Sequence, residues 1–312
     1  MKKSKILVVG SVNMDLFMNV YKIPAVGESV VEDGGVAYMP GGRGASAATA
    51  FAKLGQEAVL CSKLGQDLHG QKLYQFFRDT GIATSEIKVD NDLPTGLSVI
   101  IREGDGTART ISYPGANGGL TADNIEAALC SEPEAMYISL ELPLTTVVAA
   151  MRMAEARGIP VFVDAAPADE SHPLDTLPPL EIFSPNETET EVYTGIQPTN
   201  AESWLRAAME LAKRVRAKYY VLKLGSRGAY VYNGRQCYLM PAISEKAVDT
   251  TAAGDAFTAA MTLRYLENGG DILDAVRFGN VVGGISVTRP GASESIPTKE
   301  EAERYLATHT GR

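Results

Sequence analysis

The sequence predicts a doubly wound α/β fold, with a mostly parallel sheet flanked by helices and a small antiparallel β lid. Short apolar runs alternate with amphipathic helical stretches along most of the chain, the pattern of parallel strands joined by crossover helices. Two segments, 13–38 and 96–113, break that alternation with period-2 polarity. The 312 residues, 45% hydrophobic and 21% charged, can bury a sizeable core, which excludes a disordered or fibrous chain.

The first apolar run, 6–10, is too short for a signal-peptide core and leads into polar residues, so it reads as a strand. Runs at 58–62, 136–140, 161–164, 182–184 and 219–224 are short and rich in β-branched, aromatic or other apolar residues, as strands buried on both faces require. Helices are expected at 45–54 ending at Gly55, at 70–79 ending at Gly81, at 146–156 ending at Gly158, and at 202–217. Within the second exceptional segment, Glu103-Gly104-Asp105-Gly106 reads as a hairpin turn between strands 97–102 and 108–113. The two segments are expected to pair and cover a cleft. The Pro-rich stretch 173–179 reads as a surface connection, because strand-like sequence resumes at once. With no repeat or linker in 1–312, a single domain is expected.

Charge and composition narrow the function classes. Lys+Arg 29 against Asp+Glu 38 gives a net charge of −9, which offers no footprint for nucleic acid or an anionic membrane. No run approaches the roughly 18 apolar residues of a membrane span, and a cytoplasmic location is expected. Cys61, Cys130 and Cys237 are odd in number and far apart, which suits buried thiols in a reducing compartment rather than disulfides or zinc. His69, His172 and His309 form no ligand or triad spacing. Chemistry is therefore expected from carboxylates and backbone.

The most informative segment is Asp249-Thr250-Thr251-Ala252-Ala253-Gly254-Asp255, small residues leading into an apolar helical run at 257–266. A loop of small residues that opens a helix binds anions, because free N–H groups and the positive end of the dipole converge there. Asp255 reads either as a first-turn acid that favours the dipole or as the proton acceptor of a phosphoryl transferase, whose N–H groups hold charge on the transferred group.

DTTAAGDAF closely resembles the C-terminal signature of the ribokinase family of sugar kinases, also called the phosphofructokinase B family. Pro40-Gly41-Gly42-Arg43-Gly44-Ala45 resembles its N-terminal glycine motif, Ser184-Pro185-Asn186-Glu187-Thr188-Glu189 its Asn-x-x-Glu motif, and Leu224-Gly225-Ser226-Arg227-Gly228 its nucleotide-phosphate loop. The likeness runs over nearly the whole chain, and no GxxxxGK[ST] loop offers another account of nucleotide binding. It implies ATP-dependent phosphorylation of a sugar's primary hydroxyl, with D-ribose to ribose 5-phosphate leading and another pentose, a ketohexose such as fructose, or a nucleoside as alternatives.

By the same resemblance Asp255 is the catalytic base, and the backbone of Ala252, Ala253 and Gly254 is the anion hole. Asn186 and Glu189 are implied near Mg²⁺-bound phosphates, reached through water. Read alone, Glu189 is equally one acid of Glu187, Glu189 and Glu191 on a solvated helix face. Asn13 and Asp15 follow the first strand, where open α/β sheets place ligands, and suit hydroxyl recognition, with Gly41 and Gly42 letting backbone approach the ring. Glu141 matches a further sugar contact, against a plain reading as a strand-end surface acid. Lys223 lies against nucleotide phosphate or caps a strand end, Gly225 and Gly228 shape the phosphate loop, and Asn280 lines an adenine pocket. The resemblance places K⁺ among Asp249, Thr251, Ser286, Arg289, Gly291 and Ser295, mostly on carbonyl oxygens. A homodimer through the lid is expected. The chain departs from the family's usual Gly-Gly-Lys-Gly-Ala followed by Asn, carrying Arg43 and then Ser46; a shorter side chain without the amide donors puts ribose in question.

Overall fold

Alternate residues of the first strand, β1 (Lys5–Val9), enter opposite hydrophobic layers: Ile6 and Val8 pack to one side, Leu7 and Val9 to the other. A strand buried on both faces needs that continuous apolar run. The computed structural model describes residues 4–31, 34–103, 108–170, 172–243 and 245–309. Along it follow β2 (Asn13–Val20), β3 (Val36–Gly41), α1 (Arg43–Lys53), β4 (Glu57–Gly65), α2 (Leu68–Asp79), β5 (Ile87–Asp90), β6 (Gly96–Glu103) and β7 (Ala108–Tyr113). The middle holds α3 (Ala122–Leu129), β8 (Ala135–Ser139), α4 (Leu144–Ala156), β9 (Val161–Asp164), β10 (Leu180–Ser184), α5 (Glu187–Thr194) and α6 (Ala201–Arg214). The C-terminal part holds β11 (Ala217–Lys223), β12 (Ala229–Tyr232), β13 (Cys237–Met240), α7 (Ala253–Glu267), α8 (Ile272–Ser286) and α9 (Lys299–His309).

Among the described residues the main sheet runs β13-β12-β11-β10-β9-β8-β1-β4-β5, parallel from β11 to β5 and antiparallel at β12 and β13. Residues of α3, α4 and α6 pack on one face and residues of α1, α7 and α8 on the other, so the sheet is covered twice, as predicted. The helix expected at 202–217 stops at Arg214, because Val215 is already extended (φ −136°, ψ 139°) and Ala217 begins the next strand. The Pro-rich connection holds a short 3-10 turn, Leu174–Thr176.

A second sheet, β3-β2-β6-β7, forms the lid. Its pairings of β2 with β3 and of β6 with β7 are antiparallel, as expected, while β2 pairs with β6 in parallel, Asn13 opposite Gly96 through Val20 opposite Glu103. Parallel pairing needs a long crossover, and β3, α1, β4, α2 and β5 supply it between the two strands. The strands on either side of the predicted hairpin turn pair as expected, while turn residues 104–107 lie outside the described residues. No helix among the described residues is long and apolar enough to cross a membrane.

Candidate active site

The segments after β1, β8, β10 and β11 open with the start of α7 onto one cleft of about 1220 Å³, faced from the lid by Ser98, Ile100, Thr110 and Ser112. Several helices are closed at their N-termini by side-chain caps: Asp67 on α2, Thr121 on α3, Asn186 on α5, Asn200 on α6 and Asp271 on α8. Helix α7, like α1 and α4, carries no such cap. Its N-cap is Ala252, in the left-handed region at φ 58°, with no side-chain cap. A residue with a Cβ in that conformation costs about 1–2 kcal/mol, so the surrounding loop must hold it. The uncapped first turn, Ala252 to Asp255, lies on the cleft wall, where an anion can satisfy its N–H groups.

Asp255 sits in this turn and is 3% exposed. Burial pushes its carboxyl up to about 7, against the pull of the Arg43 guanidinium, which donates to Oδ1 at 3.2 Å. Buried Asp164 adds to the upward push. A carboxyl poised near neutrality can accept a hydroxyl proton.

In the same cleft Asp15 is also buried, and burial pushes it too up to about 7, with the Ser98 hydroxyl pulling the other way and Arg43 and Asp255 near enough to act on it. Its Oδ1 is buried without a hydrogen-bond partner. Asn13 donates to Ser98 Oγ and Glu141 Oε1, both at 3.3 Å, and accepts from Asn117 Nδ2 at 2.8 Å. Asn117 also spans the Val12 backbone through both its N–H and its C=O, locking the turn after β1. The expected glycines are sterically required. A Cβ on Gly41 would lie 2.0 Å from Asp15 Oδ2, and Gly42, at φ 92°, would meet the Ser11 carbonyl at 2.7 Å. Glu141 is no free surface acid, since it accepts from the Ser11 hydroxyl and, at 3.1 Å, from the Arg43 backbone N–H. Ser46 is buried in the first turn of α1 on the cleft wall.

On the opposite side Lys223 Nζ pairs with Asp164 Oδ2 at 2.7 Å, and Thr258 Oγ1 donates to the same oxygen at 2.8 Å. A Cβ on Gly254 would lie 3.6 Å from Lys223 Nζ, so the ammonium is beside the α7 turn rather than only at a strand end. Asn186 and Glu189 form a reciprocal capping box: Asn186 N donates to Glu189 Oε2 at 2.7 Å and Glu189 N to Asn186 Oδ1 at 2.8 Å. Glu189 is 4% exposed, against its reading as a solvated face, and burial raises its carboxyl pKa. Gly225 and Gly228 line the cleft at φ 54° and 97°. Asn280 lines it too, donating to the Met240 and Pro241 carbonyls at 3.0 Å.

Of the groups expected around K⁺, the Asp249 carboxylate and the Ser286 carbonyl accept hydrogen bonds within the chain. Asp249 accepts from Thr251 N at 2.9 Å, Thr251 Oγ1 at 2.6 Å and Gly291 N at 3.2 Å. Ser286 O takes the Arg289 N–H at 3.2 Å, the Arg289 guanidinium pairs with Glu301, and Ser295 Oγ donates to Ala292 O at 2.8 Å.

The description "pfkB family carbohydrate kinase" matches residues 3–299. The chain belongs to the pfkB family of carbohydrate kinases. Among its relatives, a ribokinase of Staphylococcus aureus is 31% identical over 96% of this chain and 99% of its own, and a deoxyribokinase of Salmonella typhi is 28% identical over 97% and 98%. The solved structure of Arabidopsis thaliana ribokinase complexed with ribose and ATP superposes with a TM-score of 0.86 at 27% identity, covering 97% of this chain and 99% of that one.

Several polar groups in or behind the cleft wall of this carbohydrate kinase carry no local signal. Asp164 is the last residue of β9, and its partner Lys223 is 59 residues away. Ser98 and Ser112 are ordinary alternating positions of β6 and β7 until the lid folds over. Asn117 stands in a glycine-rich 3-10 turn, Gly115–Gly119, that reads as a loop. Arg43 is visible as a motif departure, but not as the partner of a carboxylate 212 residues away.

Proposed function

We propose that this carbohydrate kinase transfers the γ-phosphoryl group of ATP to the primary hydroxyl of D-ribose, giving ribose 5-phosphate. One observation carries the reading: a near-neutral buried carboxyl, Asp255, stands in the uncapped first turn of α7, in the same cleft as a second buried carboxylate with an unpartnered oxygen. The relatives named ribokinase, with nearly full coverage of both chains, favour ribose over a hexose or a nucleoside.

Asp15 Oδ1 accepts a sugar hydroxyl, and Asn13 and Glu141 fix its neighbours. The primary hydroxyl then points at Asp255, which takes its proton as the oxygen attacks phosphorus. The first-turn N–H groups of α7 and the Arg43 guanidinium balance charge on the transferred phosphoryl, and Lys223 does so from the other side. Arg43 thus has two partners in sequence: the carboxylate before ATP binds and phosphate afterwards. Nucleotide phosphates run toward Gly225 and Gly228, with the base beside Asn280.

Among the described residues no group of three or more His, Cys, Asp and Glu could hold a metal by itself. Asn186 and Glu189 are hard oxygen donors whose capping bonds leave lone pairs free, which suits a Mg²⁺ carried in on ATP and held through water. That ion shields the phosphate charge. The charge that K⁺ would balance at Asp249 is already balanced by an arginine, so no step is assigned to K⁺. Exposed Val36, Tyr38, Ile111 and Tyr113 on the outer lid strands support a homodimer through the lid, and a single domain in the cytoplasm completes the reading.

A sugar panel tests it: ADP release with ribose, 2-deoxyribose, fructose and a nucleoside, at equal ATP and Mg²⁺. Ribose is expected to give the highest kcat/KM; the same rank for a nucleoside or fructose would overturn the substrate assignment.

A further inference from the structure

The loop that enters the anion-binding turn is held by an arginine from the lid. Arg102 lies near the end of β6, and its Nη2 reaches Asp249 Oδ2 at 3.2 Å, Oδ1 at 3.4 Å and Thr251 Oγ1 at 3.0 Å. The guanidinium is set 4.8 Å over the ring of Phe17 on β2, which restricts its fork. Asp249 is 10% exposed and its oxygens also collect the N–H groups of Thr251 and Gly291, so one carboxylate ties three segments together. Thr251 immediately precedes Ala252, whose left-handed backbone has to be imposed from outside.

A cation on Asp249 does two things at once. It removes a negative charge that would repel an incoming polyphosphate, and it stiffens the carboxylate that orients the loop. The family resemblance expects a free monovalent ion on the Asp249 charge and on carbonyl oxygens, yet here a covalently attached guanidinium occupies the Asp249 carboxylate and reaches the Thr251 hydroxyl, and the Ser286 carbonyl accepts the Arg289 N–H. We propose that Arg102 is a positioning residue that takes the place of the monovalent cation, holding the α7 anion loop through Asp249 and Thr251 and freeing turnover from K⁺. The proposal rests on the kinase reading above. Because Arg102 belongs to the lid, the strands that cover the sugar also order the phosphate loop.

The test compares the wild type with Arg102→Met and Arg102→Lys in K⁺, Na⁺ and tetramethylammonium chloride at one ionic strength, reading kcat, the KM values and, without substrates, the melting temperature. The wild type is expected to show rates within about twofold across the salts and no K⁺-specific shift in melting. Arg102→Met should lose kcat by roughly ten- to a hundredfold in tetramethylammonium with little change in sugar KM, and regain at least about threefold in K⁺, with a K⁺-specific rise in melting temperature. Arg102→Lys should keep most of the activity. A wild type activated several-fold by K⁺, an Arg102→Met variant as active as the wild type, or a loss restored by neither K⁺ nor lysine would each overturn the proposal. Should no sugar be phosphorylated at all, the kinase reading fails, while the melting experiments, which need no substrate, still decide the role of Arg102.

Discussion

Asp255 and Asp15 share one cleft, both buried and both pushed by burial to about 7, yet their immediate surroundings differ. Asp255 has a guanidinium on Oδ1 and an uncapped helix start around it; Asp15 has no such cation on it and keeps a buried, unpartnered Oδ1. A shifted pKa therefore does not by itself assign a role. On the proposed reading the surroundings do: cations and free N–H groups stand around the carboxyl where negative charge would develop, whereas serine hydroxyls, asparagines and glycines stand around the one where neutral hydroxyls would dock.

That contrast breaks first at Asp255. Asp255→Asn keeps the side-chain volume but cannot take a proton, so kcat should fall by roughly 10²–10⁴-fold with ATP and sugar KM little changed. Retention of more than about a third of wild-type kcat would remove Asp255 from the chemistry. The corresponding change at the second carboxyl, Asp15→Ala, should raise sugar KM by roughly ten- to a hundredfold, the cost of one to two hydroxyl contacts in a closed site, and leave ATP KM alone. Equal loss for both ligands would place Asp15 outside sugar recognition.

The pH dependence tests the role given to Asp255. A base with its pKa near 7 must be ionised to act, so kcat should drop about tenfold per unit below neutrality and level off above it. The stability sign is opposite. The folded Asp255 pKa lies above its ordinary value of 3.8, so between 3.8 and about 7 the unfolded chain has already released a proton that the folded chain keeps. Stability contributed by this group is lost as pH rises through that window, and the melting-temperature advantage of Asp255→Asn should widen from about pH 5 to pH 8. A gap that stays constant instead would show the carboxyl to be ionised throughout.

The smallest effect is expected at Ser46, on the cleft wall where the family's usual asparagine is replaced. Ser46→Asn should raise kcat/KM for ribose by about tenfold if it restores a hydroxyl contact, and no change would mean that water already fills the gap. Comparing ribose with 2-deoxyribose in both proteins locates the contact on the ring.

What could be read in advance follows from how local each signal is. The α7 turn was legible because small residues running into an apolar helix state an anion site within seven positions; Gly41 and Gly42 stood out through the glycine motif, while the Cβ clash with Asp15 or Ser11 that requires them appears only in the fold. The parallel core was legible because each buried strand carries its own apolar run. The parallel pairing of β2 with β6 was not, since alternation reports a half-buried strand but never its partner's direction. Asp164 and Arg102 stayed hidden for the same reason: their meaning lies in Lys223 and Asp249, 59 and 147 residues away, and nothing beside them in the chain announces a partner.

The central claim is tested most directly by following phosphorus during turnover. With ATP, Mg²⁺, ribose and the wild-type protein, ³¹P NMR should show ribose 5-phosphate appearing in step with ADP, and Asp255→Asn under the same conditions should leave both resonances at the baseline. ATP left intact with every sugar and nucleoside of the panel, or ribose 5-phosphate formed at the wild-type rate by Asp255→Asn, would contradict the account.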